Sequence, residues 1–222
     1  MLAAFAVVLG PLAVDAVATP SPSGATPRAV AAAATHDLHL HSDTAPSSAG
    51  ARRAPYAWSG KRIRYTESIP SKWDWSLSTA VAKWNTSGGG IKFVRTTNPR
   101  KARLHIGYGD IGAVAGMATV GRVPRAWVKL SSRYSTVDSL DAYSRVEVMS
   151  IFSHELGHVL GFEHTTTKCS LMSPVLDVRG CGTVREAQPG YYRCRTIDAP
   201  LVGRFVRTYG GRARYPAAVC RI

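Results

Sequence analysis

The chain has 222 residues, 45% of them hydrophobic and 19% charged, which describes one ordinary globular domain with a tail and gives no sign of a second core. Its 28 Lys and Arg against 14 Asp and Glu leave a net charge of +14, spread along residues 52–222 without a block of like charges. Such a diffuse basic surface suits anionic cell-surface polymers or acidic substrates, and no nucleic-acid motif accompanies it.

Residues 1–18 are apolar, have the length of a signal-peptide core and end in Ala16-Val17-Ala18, although no Lys or Arg precedes Arg28. The expectation is a signal peptide cleaved after Ala18 and an extracellular, secreted protein. Pro11 and Asp15 interrupt the run, so no membrane span is expected. Residues 19–54 are Ala, Ser, Thr and Pro with almost no large apolar side chain, and read as a disordered linker or short pro-segment. His36, His39 and His41 lie in it and read as part of a mobile polar segment.

The folded domain, residues 55–222, opens with Arg62-Ile63-Arg64-Tyr65, whose alternation predicts a strand. Leu77, Ala80, Val81 and Trp84 fall at helical spacing, predicting a helix from Trp73 to Asn85 that stops at Gly88-Gly89-Gly90. Residues 91–95 and 104–108 read as two further strands. A strand–helix–strand opening argues a sheet with parallel members and a helix packed on it. His105 is a lone histidine on a strand and reads as structural. Residues 115–120 and 126–130 follow, separated by a turn around Gly121-Arg122-Val123-Pro124. Asp138 and Asp141 are too few to argue a calcium loop.

A helix is expected from Ser144 to Leu160, with Val148, Met149, Ile151, Phe152, Leu156, Val159 and Leu160 over about half its circumference. Ser150, Ser153 and Gly157 form a narrow strip of small residues. Within this helix His154 and His158 are four apart, so both can offer ring nitrogens to one metal ion. Gly161 can take the left-handed conformation that ends the helix and turns the chain back. His164 can then return as a third ligand. Three neutral imidazoles leave the fourth tetrahedral position open, the arrangement of one catalytic Zn²⁺ and not of a closed structural site. Glu155 is placed to be the general base. Further on, Asp198 before Ala199-Pro200 is a helix N-cap, and a helical stripe from Leu201 to Tyr209 ends at Gly210-Gly211.

The pattern His154, Glu155, His158, Gly161, His164 resembles that of the metzincin metalloproteases, and Ser170-Leu171-Met172-Ser173-Pro174 is similar to their Met-turn. Thr165 and Pro174 resemble the matrixin branch. The run Cys169-Ser170-Leu171-Met172 is similar to snapalysins, small secreted bacterial relatives, whose third ligand is Asp where this chain has His164. Position 173 is Ser where matrixins commonly have Tyr, and no cysteine precedes Cys169, so the latency thiol of many matrixins has no counterpart. The resemblance implies a mixed α/β fold: a twisted mixed sheet with one antiparallel edge strand, an active-site helix and a C-terminal helix. It places that edge strand at residues 116–120, where Gly116, Met117, Ala118 and Thr119 would pair with an extended peptide substrate.

The function expected is a monomeric, secreted, zinc-dependent endopeptidase acting on proteins or peptides, with Glu155 as base. The alternatives are a non-catalytic polyanion- or cell-wall-binding protein that keeps a zinc site, and a zinc hydrolase of non-protein substrates. Cys169, Cys181, Cys194 and Cys220 are an even count, which in a secreted chain favours two disulfides. The expected pairs are Cys169–Cys181, which would close a loop around Met172 as a similarly spaced pair does in snapalysins, and Cys194–Cys220, which would anchor the tail.

Overall fold

A five-stranded sheet with strand order β2-β1-β3-β5-β4 carries two helices against its core face. The computed structural model describes residues 57–166, 170–174 and 197–215. The expected signal peptide and linker, His36, His39 and His41, and all four cysteines with both expected pairings lie outside the described residues.

Strands β1 (Arg62–Glu67), β2 (Lys92–Arg95), β3 (Leu104–Gly109) and β5 (Ala126–Ser131) run parallel to their neighbours, and β4 (Gly116–Ala118) pairs antiparallel with β5 at the edge. The parallel sheet and the antiparallel edge expected from the sequence are both present. Period-two alternation explains how each strand sits. Ile63 and Tyr65, Leu104 and Ile106, and Ala126, Val128 and Leu130 are buried on one face, while Arg62, Arg64, His105 and Lys129 are exposed on the other.

Helix α1 (Asp74–Thr86) links β1 to β2, and α2 (Ala142–Val159) packs on α1, β4 and β5. Trp84 joins the two helices: its Nε1 donates to Ser153 O at 2.9 Å, and its ring stacks on Phe162 and meets Phe205 edge-on. The small residues Ser153 and Gly157, two of the narrow strip, lie against this ring.

One expectation about α2 is corrected. It begins at Ala142, not near Ser144, because Asp141 caps it by accepting from Ser144 N at 2.7 Å. A helix this apolar belongs inside the molecule, and every residue from Ile151 to Leu160 is buried. Helix α3 (Ala199–Tyr209) starts at the expected cap, with Asp198 accepting from Leu201 N at 2.9 Å.

Candidate metal centre

The end of α2 builds the site. Leu160 is the last helical residue in conformation, and Gly161 follows at φ 86°. Gly161 N donates to His158 O at 2.7 Å and Phe162 N to Gly157 O at 3.1 Å, the pair of hydrogen bonds that closes a helix on a left-handed glycine. The chain therefore leaves the helix backwards and brings His164 over its last turn. Two other carbonyls of that turn are also held: Trp58 Nε1 donates to Val159 O and Tyr209 Oη to Leu160 O, each at 2.7 Å. Both ends of the described chain thus anchor the helix that carries the ligands.

His154 and His158 are buried and His164 is half-buried. Their Nε2 atoms converge, 3.0 Å apart for His154 and His158 and 3.2 Å from each of these to His164. Among the described residues this is the one group of three metal-ligating side chains. His105, read as structural, hydrogen-bonds to Thr66 and Ser68 hydroxyls and takes no part.

Whether the donor set fits a metal is decided by the other ring nitrogens. His154 Nδ1 lies 2.6 Å from Leu171 O, and His158 Nδ1 lies 2.8 Å from Phe162 O. A carbonyl can only accept, so both Nδ1 atoms carry the proton and both Nε2 atoms present lone pairs when the rings are neutral. Two lone pairs 3.0 Å apart repel each other unless a cation lies between them. The edges of the triangle are close to the roughly 3.3 Å expected between nitrogens bound tetrahedrally at about 2.05 Å. The three imidazoles fit zinc, and the carbonyls that orient them are the outer partners such ligands need.

Met172 lies against the helix that carries the first two ligands. Ser173 N donates to Ser170 O at 3.0 Å, making the turn, and Met172 is fully buried against Gly157, between the first two ligands. The turn is fixed from below by Asp198, a role the sequence did not reveal: one carboxylate oxygen accepts from Ser170 Oγ and Leu171 N, while the other caps α3. Leu171 O is thereby aimed at His154. Thr165 N donates to Met172 O at 2.9 Å, tying the segment after His164 to the same turn.

Glu155 is almost fully buried, and burial pushes its carboxyl up to about 8. A Cβ on Gly116 would stand 2.6 Å from its Oε1, so the bare backbone of β4 packs directly on this carboxyl. That contact was also invisible in the sequence.

The four expected substrate-binding residues separate into two pairs. Thr119 N donates to Trp127 O and Ser131 N to Ala115 O, so positions 115, 117 and 119 turn their main-chain groups toward β5. Gly116 and Ala118 alternate with them and turn theirs toward the open edge. Asp138 and Asp141 organise their own loop, accepting from Leu140 N and Ser144 N.

Residues 125–186 match the family model of the matrixins, a stretch that spans β5, α2, all three histidines and Met172. No curated protein matches the chain.

Proposed function

We propose that this chain is a secreted zinc endopeptidase with Glu155 as general base; its matrixin match over residues 125–186 and its three-histidine cluster support a metzincin-like zinc metalloprotease. The observation that carries the reading is the position of Glu155, buried next in sequence to His154 and pressed against the edge strand where a peptide can be laid.

His154, His158 and His164 would hold the ion. Zinc, when bound there, polarises a scissile carbonyl and acidifies water. Glu155 takes the proton of the attacking water and delivers it to the leaving amine. Gly116 and Ala118 supply main-chain donors and acceptors to an extended substrate, which adds as one more antiparallel strand. Recognition through the main chain selects unfolded or flexible segments over a particular side-chain sequence. Leu171 O and Phe162 O hold the ligand rings in one tautomer throughout.

Secretion is supported by the apolar residues 1–18 ending in Ala-Val-Ala. Protein and peptide substrates accord with the family.

Incubation of the full chain with unfolded protein substrates, with and without a chelator, tests the activity. Sequenced internal fragments that appear only without chelator, and return when zinc is restored, are the expected result. Intact substrate in every arm would overturn it.

A further inference from the structure

A parallel sheet is ordinarily covered on both faces, because its connections place helices on each side. Here the face turned away from α1 and α2 is exposed and basic. Arg64, Arg103 and Arg125 stand side by side across β1 and the heads of β3 and β5: Arg103 N donates to Arg64 O at 2.9 Å, and Ala126 N donates to Arg103 O at 3.2 Å. All three are exposed, as are Arg62 and Lys129 on the same face. None of the four arginines makes an ion pair or side-chain hydrogen bond with another described residue. The alternating positions on this face, from Arg62 through His105 and Trp127 to Lys129, include no carboxylate.

A second observation lies at the β2 edge, where Lys92 is in register beside Arg62. Lys92, Arg212 and Arg214 line a cavity of about 390 Å³ with Asn85, Thr86 and Gly88, again without an acid. The backbone builds this cavity. Arg212 N donates to Gly88 O and Arg214 N to Ser87 O, and Gly89 bridges Gly211. Gly88 has φ 95°, and a Cβ there would overlap Arg212 O, so only glycine lets the tail lie this close. Burial, and next the Arg214 guanidinium, hold Lys92 below its ordinary range, and its Nζ donates to Asn85 O.

We propose that this sheet face, anchored by the cavity at its β2 edge, binds a linear, base-free phosphodiester polymer. The guanidinium fork matches phosphate, and such a polymer carries one permanent charge per repeat to meet a row of cations. The chain has no acidic run of its own to lay there, with 14 Asp and Glu dispersed over 222 residues. Among the described residues Trp127 is the face's one Trp, Tyr or Phe, whereas nucleic-acid platforms stack successive bases on several. The face shares no residue with the histidine site and would localise the protein without taking part in catalysis.

The test measures binding of poly(glycerol phosphate) to the zinc-loaded full chain over a range of salt. Arg64→Ala/Arg103→Ala should weaken binding at least tenfold and flatten the dependence of log K on log salt by about two. Arg212→Ala/Arg214→Ala should also weaken it, whereas Arg122→Ala/Arg207→Ala, which removes the same charge elsewhere, should stay within twofold. Arg64→Lys/Arg103→Lys, which keeps the charge but not the fork, should keep the parent's salt dependence and bind more tightly than the alanine pair though less tightly than the parent, and guards against a folding defect in the alanine pair. Equal losses in all charge-removing variants, no binding by the parent at low salt, or tighter binding of poly-dT or poly-L-glutamate would overturn the proposal.

Discussion

The sulfur of Met172 fills the space that a side chain at Gly157 would need: a Cβ placed there stands 2.4 Å from Sδ and 3.3 Å from the ring of Trp84. The helix bearing the first two ligands and the turn beneath them are thus in contact at backbone distance. Gly157→Ala must displace the fully buried Met172 side chain, and the strain is carried to the turn that holds Leu171 O, which orients His154. Overpacking of this kind costs about 1–3 kcal/mol. The expected outcome is a lower melting temperature and weaker zinc retention in a chelator competition, with Met172→Ala in the same background recovering part of the stability. Unchanged zinc retention would show that the turn does not set ligand geometry.

Gly116→Ala tests the other backbone contact. The added methyl would meet Glu155 Oε1 at 2.6 Å and Ile151 Cγ2 at 2.7 Å. Both side chains are buried, and the carboxyl, at the end of the longer and unbranched one, has more freedom to yield. A fall in kcat of about tenfold or more is expected, with zinc content unchanged, because a base displaced by a fraction of an ångström loses its alignment. A variant that loses only stability would assign Gly116 to packing alone.

Glu155→Ala should keep the ion, since the three imidazoles hold it, and lose about 10²–10⁴-fold in activity. Metal analysis beside the kinetic assay separates the two effects. Comparable turnover in variant and parent would remove Glu155 from the mechanism.

Ala118→Pro deletes an N–H that faces the open edge and leaves the β5 ladder, carried by Met117 and Thr119, in place. KM for long peptide substrates should rise severalfold while the unfolding temperature moves little. Normal hydrolysis by the folded variant would put the substrate on another surface.

Removal of zinc should destabilise the domain, because His154 and His158 then face each other lone pair to lone pair. With free zinc at 100 times its dissociation constant, the stabilisation withdrawn is about 2.7 kcal/mol. Calorimetry with and without chelator reads this directly, and Glu155→Ala should respond as the parent does.

Much of this molecule could be read in one dimension because its signals are local. His154, Glu155, His158 and Gly161 act through helical spacing and a single left-handed residue, and the structure converges the ring nitrogens as that spacing requires. The strand at 62 followed from alternation, the one at 104 was read as a strand as well, and the cap at Asp198 followed from its place before Ala199-Pro200. Asp141 was within reach of the same logic, as an acidic residue three before Ser144, but the weak apolar pattern of the first turn hid it. Other relationships join residues far apart in the chain and leave no periodic trace. Asp198 steadies a turn 27 residues earlier, Trp58 caps a carbonyl 101 residues later, and Gly116 and Gly157 matter for side chains they lack. The row of Arg64, Arg103 and Arg125 is of the same kind. Spacing along a chain specifies which groups share a helix face or strand face, but only the parallel register of the sheet and the closing of the helices on it decide which faces meet.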